Sequence, residues 1–260
     1  MRKRFFALII FCFVGAFMDE HVAGAISSMD DFIELCITGK PLDIKAAIEK
    51  GADVNARDKD GWTVLMLAAG SNDDPEALAV LIKAGADVEA RGQDDFTALM
   101  WAAMSNGNPE AVIALIEAGA DIEAKDAFGL TALMLAAHEN DNPEVFSVLL
   151  KCGANPDVRS QGGLTVLMWA ANNSNTKALE TLLKKDMDID VQDDKGRTAL
   201  MIAAMVNNAQ AIDLLLDKNV NVNVLDKNGK RAIDYAGESI ALKKTEVYQR
   251  LEKLSRLISP

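Results

Sequence analysis

The chain has 260 residues, 50% of them hydrophobic and 25% charged, with a formal net charge of −12. That make-up excludes a disordered or collagen-like chain, and no apolar run reaches the roughly 18 residues of a membrane span. The acidic balance, with a sequence pI of about 4.7, argues against nucleic acid as the main partner, because phosphate binding needs a basic face.

The first predicted element is an address. Arg2-Lys3-Arg4 precede the apolar residues 5–17, then come Asp19, Glu20 and Ala23-Gly24-Ala25. Basic, apolar, then small-x-small is the order of a secretory signal peptide, and the apolar stretch is too short to serve as an anchor. The expected cut follows Ala25. Val14-Gly15-Ala16 offers an earlier site, and an uncleaved N-terminal helix is the alternative. Phe11 before Cys12 does not resemble a lipoprotein signal, which wants a small residue there. Without residues 1–25, Lys+Arg falls from 27 to 24 and Asp+Glu from 39 to 37, a net −13. One histidine, His138, and two cysteines, Cys36 and Cys152, remain.

Residues 26–260 read as one repeat domain. Residues 27–57 form an N-terminal cap with Phe32, Leu35, Cys36, Ile44, Ala47 and Ile48 facing inward. Full copies are expected at 58–91, 92–125, 126–159, 160–192 and 193–225. Each carries Thr-x-Leu-Met-x-Ala-Ala, starting at Thr63, Thr97, Thr131, Thr165 and Thr198. A decayed copy, Arg231-Ala-Ile-Asp-Tyr-Ala, marks a C-terminal cap at 226–260. A second landmark keeps step: Gly-Ala-Asp-Val at Gly51 and Gly85, Gly-Ala-Asp-Ile at Gly119, Gly-Ala-Asn-Pro at Gly153, with degenerate forms at Asp186 and Asn219. Two landmarks in phase establish an internal repeat.

Each copy predicts two short helices. The Thr is a good N-cap. The alanine pairs at 68–69, 102–103, 136–137, 170–171 and 203–204 let first helices approach to about 8–10 Å. Asp74-Pro75-Glu76, Asn108-Pro109-Glu110 and Asn142-Pro143-Glu144 start second helices: a capping side chain, a proline where no N–H is needed, and an acid at the positive end. Val80-Leu81-Ile82, Leu115-Ile116 and Leu149-Leu150 form their buried stripe. Gly85, Gly119 and Gly153 predict left-handed C-caps, and Asp186 and Asn219, which tolerate that conformation better than most residues, are expected to replace them. Turn tips follow, with Gly61, Gly129, Gly163, Gly196 and Gly229 two residues before each Thr or Arg231. Asp95 breaks the series and predicts a strained second tip. The last helix, Glu246 to Leu257, carries Arg250, Lys253 and Arg256 near Lys244, a polar-faced cap of the kind solenoids need.

These motifs resemble the ankyrin repeat, which reads Asp-x-x-Gly-x-Thr-Pro-Leu-His-x-Ala-Ala, then a polar turn, then an apolar helix ending in Gly-Ala-Asp-Val-Asn. The resemblance covers roughly residues 30–255. It implies an all-α solenoid of stacked helix-turn-helix units with β-hairpin or turn tips, about seven repeats including caps. The family's Pro is Val or Ala here, and its His is Met at Met66, Met100, Met134, Met168 and Met201. The family's Thr–His hydrogen bond is therefore not expected.

Enzyme chemistry finds no footing. One histidine cannot build a His-rich zinc site, and Cys-x-x-Cys is absent. Cys36 and Cys152 lie about three stacking steps apart, near 30 Å, whereas a disulfide needs about 7 Å; two separate, unreactive thiols are expected. There is no nucleophile elbow to serve His138, no phosphate-binding loop and no dinucleotide fingerprint. No cofactor is expected. The methionines recur once per repeat, which fits flexible core filling better than a shared soft-metal site.

The resemblance implies binding through the tips and the inner face of each first helix. The residues just before each Thr or Arg231 are Trp62, Phe96, Leu130, Leu164, Arg197 and Lys230, and Phe128 adds to the third tip. Met104, His138 and Met205 follow the alanine pairs, beside Asn172 and Asn173. Trp101 and Trp169 are expected half-exposed on the same face. Apolar side chains on turn tips mark partner sites; packing of the tips on one another is the alternative. The expected function is a protein-protein interaction module, an exported adaptor, scaffold or inhibitor, monomeric, periplasmic or secreted. It would bind no nucleic acid and, once the signal is removed, no membrane. An apolar groove in an acidic shell suits a protein partner with a basic rim. A ligand-binding or copper-binding periplasmic protein is the alternative.

Overall fold

The computed structural model describes residues 28–257; the expected signal peptide lies outside the described residues. The described chain begins with α1 (Met29–Thr38) and α2 (Pro41–Glu49). Four helix pairs follow: α3 (Val64–Ser71) with α4 (Pro75–Lys83), α5 (Ala98–Ser105) with α6 (Pro109–Glu117), α7 (Ala132–Glu139) with α8 (Pro143–Lys151), and α9 (Val166–Asn172) with α10 (Lys177–Leu182). Next come α11 (Ala199–Met205) with α12 (Ala209–Leu216), then α13 (Ala232–Ala236) and α14 (Glu246–Leu257). First helices stack on first helices from α1 to α13, and α2, α4, α6, α8 and α10 form an outer row. The fold is an all-α solenoid of stacked helix pairs, as the resemblance implies.

Local chemistry explains the helix ends. The hydroxyls of Thr63, Thr97, Thr165 and Thr198 accept from the N–H of Met66, Met100, Met168 and Met201. Thr131 occupies the same place, buried, and makes no such bond. Asp74, Asn108 and Asn142 accept from the N–H of Glu76, Glu110 and Glu144. Gly85, Gly119 and Gly153 are left-handed as expected, with φ of 96°, 96° and 97°, and Asn219 takes the same conformation at 56°. Asp186 does not. The shorter α10 ends at Leu182, and the Lys185 N–H closes the turn on the Leu182 carbonyl without a left-handed residue.

The alanine pairs and the five repeat methionines lie in one continuous core, with each of those methionines at most 1% exposed. Their thioethers fill space between repeats and are not presented to a metal. Cys36 is buried and Cys152 exposed, both free.

Polar ladders tie repeat to repeat. Asn72, Asn106, Asn140 and Asn208 each donate their side-chain amide to two carbonyls of the preceding repeat, and Asn173 donates to one. At the base of the tips, Arg57, Arg91, Arg159 and Gln192 each bridge a carbonyl of their own tip and one of the next repeat. The tips themselves are joined by main-chain bonds, Ala127 N–H to Asp94, Gln161 N–H to Phe128, Asp194 N–H to Gly162 and Lys227 N–H to Lys195. Among the described residues the only strand-like pairings are the isolated bridges Arg57 with Thr63 and Arg159 with Thr165, so the tips are turns.

Candidate partner-binding face

Each tip is shaped by its first polar residue. Asp58, Asp126, Asp193 and Asp226 use Oδ1 to accept from the N–H groups two and four residues on. Such Asx turns set the direction of the residue before Thr. The second tip has Gly92 at that position and turns instead through Asp94 and Asp95, both left-handed at φ 55° and 62°. The strain expected at Asp95 is present and extends to its neighbour. The fourth tip turns through Gly162 and Gly163, where glycine removes the steric cost.

The apolar tips divide into two groups. Trp62, Phe96 and Trp101 are only 5%, 6% and 6% exposed. The surface tips expected at Trp62 and Phe96, and the half-exposure expected of Trp101, are therefore corrected. The three rings pack edge to face, with centroids 5.1 Å apart for Trp62–Trp101, 5.7 Å for Phe96–Trp101 and 6.2 Å for Trp62–Phe96. Edge-to-face packing matches ring edge to ring face electrostatically. Gly92 makes room for it, because a Cβ there would lie 2.5 Å from the Trp62 ring. This is the tip-on-tip packing held as the alternative.

The other apolar candidates and His138 are not buried. Met104, Leu130, His138, Leu164 and Trp169 are half-exposed, while Phe128 and Met205 are exposed at 41% and 42%. His138 and Trp169 meet edge to face at 4.9 Å. His138 Nδ1 lies 2.6 Å from Glu139 Oε1, and its Nε2 lies 2.7 Å from Asn172 Nδ2. With the Asn172 amide donating to Nε2, the proton on Nδ1 faces Glu139. This fixes the ring orientation.

The basic end of the series is neutralised within the chain. Arg197 pairs with Asp193 at 2.6 Å, and Lys230 pairs with Glu238 at 2.7 Å while lying 5.0 Å over the Tyr235 ring. Tyr235 Oη donates to Asp226 Oδ2 at 2.5 Å, a bond that holds the carboxyl below its ordinary range and raises the phenol.

Asp126 differs from these relatives. It is 6% exposed, and its Oδ2 is buried with no hydrogen-bond partner. Burial raises its pKa, the Leu130 and Phe128 N–H groups oppose the rise, and the nearby Asp94 and Asp95 charges add to it. Neither Asp126 nor the asparagine ladder was singled out from sequence, although both carry the repeat spacing. Among the described residues, no three His, Cys, Asp or Glu side chains converge as metal ligands, and no helix is long and apolar enough to cross a membrane.

Known proteins give this geometry a setting. The family model described as Ankyrin repeats (3 copies) matches residues 33–126, 99–193 and 178–251. A solved chain is similar at 32% identity and a TM-score of 0.62, covering 76% of this chain and 99% of its own. It comes from the Bd0816 predatory endopeptidase of Bdellovibrio bacteriovorus in complex with immunity protein Bd3460. No curated protein matches.

Proposed function

Because the chain belongs to the ankyrin-repeat family, we propose that it is a non-catalytic binding module, exported and monomeric, that occupies a partner enzyme as an immunity protein does. The carrying observation is the set of half-exposed apolar residues Met104, Leu130, Leu164 and Trp169, together with the exposed Phe128 and Met205. Patches of this kind on a soluble chain mark partner sites, and aromatic anchors dominate their energetics. The solved complex with an endopeptidase supports an endopeptidase as the partner class. The acidic charge favours a partner with a basic rim.

The test mixes the purified chain with endopeptidases of its source organism and follows co-elution and peptidase activity. One of them should co-elute and be inhibited. The double variant Met104→Asp plus Leu130→Asp should stay folded and lose both effects. Absence of co-elution with any endopeptidase, or undiminished binding by the variant, overturns the reading.

A further inference from the structure

The aspartates at the tips of residues 58, 126, 193 and 226 occupy equivalent positions, and their second carboxylate oxygens have different fates. In the fifth full repeat, Asp193 Oδ2 receives the Arg197 guanidinium, with Nη2 at 2.6 Å and Nε at 2.7 Å. In the C-terminal cap, Asp226 Oδ2 receives Tyr235 Oη. In the third full repeat, Leu130 stands in the arginine's place and Leu135 in the tyrosine's, neither with a side-chain donor, and Asp126 Oδ2 is left buried and unpartnered. Asp94 and Asp95 add two exposed carboxylates from the adjoining tip, which is bonded to this one through Ala127 N–H and the Asp94 carbonyl. The exposed ring of Phe128 sits on the same turn.

We propose that this paired tip is the receptor for one arginine side chain of the protein partner, with the guanidinium taking at Asp126 the place that Arg197 takes at Asp193. The inference rests on the partner-binding reading above. A planar guanidinium is the cation of choice because its fork meets carboxylates in a fixed geometry, as the Arg197–Asp193 pair already does within this chain. Asp94 and Asp95 attract it, and the Phe128 ring offers a surface for its flat face. Entry requires the half-exposed Leu130 to swing aside. An unpaired buried carboxylate is costly to the free protein, and the incoming donor relieves that cost only in the complex.

The test is an NMR titration of the whole chain with Nα-acetyl-arginine methylamide, read at the amides of Phe128 and Leu130, which donate to Asp126 Oδ1 at 2.9 and 2.7 Å. The neutral citrulline analogue is the control. Saturable shifts are expected with the arginine probe, weaker by about tenfold or more with citrulline. Asp126→Asn keeps the Oδ1 acceptor and the turn but should lose the response. Leu130→Arg should fill the place from within and also lose it, with its amide spectrum otherwise retained. Equal shifts with both probes, or an undiminished response in Asp126→Asn, overturn the proposal. If the probe fails while an endopeptidase still co-elutes, only this inference falls. If the probe binds while no endopeptidase does, the partner reading falls instead.

Discussion

The side-chain amide of Asn106 donates to the carbonyl of Ala69, one repeat back, at 2.9 Å, and to that of Asn72 at 3.0 Å. Its Oδ1 accepts from the Asn108 N–H at 2.8 Å. One buried residue therefore closes a helix end, starts the next turn and fastens two repeats. Asn106→Ala would orphan all three backbone groups. Each buried group left unsatisfied costs about 1–3 kcal/mol, so we expect a loss of at least about 2 kcal/mol in urea unfolding. Asn55→Ala, whose bonds are exposed, should stay within about 0.5 kcal/mol. Equal effects from the two substitutions would refute the ladder's role.

Trp62 and Phe96 are core residues on turn tips. Trp62→Ala should lower stability by about 3–5 kcal/mol, the range for removing a buried large aromatic. Circular dichroism melts check this. A wild-type melting curve for Trp62→Ala would place the indole outside the core, contrary to its packing against Phe96 and Trp101.

Asp95 holds φ at 62° where the other full repeats have glycine. The left-handed region costs an L-residue about 1–2 kcal/mol, less for Asp, and glycine almost nothing. Asp95→Gly should therefore raise stability by about 1 kcal/mol, seen as a higher urea midpoint at unchanged slope. A lower midpoint would mean that the side chain stabilises the tip.

Asp126 predicts a pH signature. Its folded pKa is raised, first by burial. The charged form thus penalises the folded state: the relief from protonation is complete below the unfolded carboxylate value of about 3.9 and is lost as pH rises through the folded value. Asp126→Asn removes that titration. It should be the more stable form at neutral pH, with an advantage that shrinks as pH falls toward about 4. A difference constant across that window would contradict the raised pKa.

Periodicity made the solenoid legible, because the Thr caps, alanine pairs and Gly-Ala-Asp turns each report one local conformation. The last helix, expected over Glu246 to Leu257, is found there. Exposure at the tips was not legible in the same way. Whether Trp62 faces solvent depends on Phe96 and Trp101, 34 and 39 positions on, and on a missing Cβ at Gly92. Leu130 and Leu164 occupy the same repeat position and remain half-exposed. Asp126 was hidden for a related reason: its Asx turn is ordinary, and the identities of residues 130 and 135, which correspond to Arg197 beside Asp193 and Tyr235 beside Asp226, decide whether its second oxygen finds a donor.

Of the two thiols expected to be unreactive, only Cys36 is shielded. Burial pushes the Cys36 thiol up to about 12, so almost none of it is thiolate at neutral pH, whereas Cys152 is exposed just past α8. Attack on a maleimide or a gold surface needs the thiolate and access. Among the described residues the molecule thus carries a single native handle, just past an outer helix, and tethering to a sensor chip through it would hold every copy by the same point.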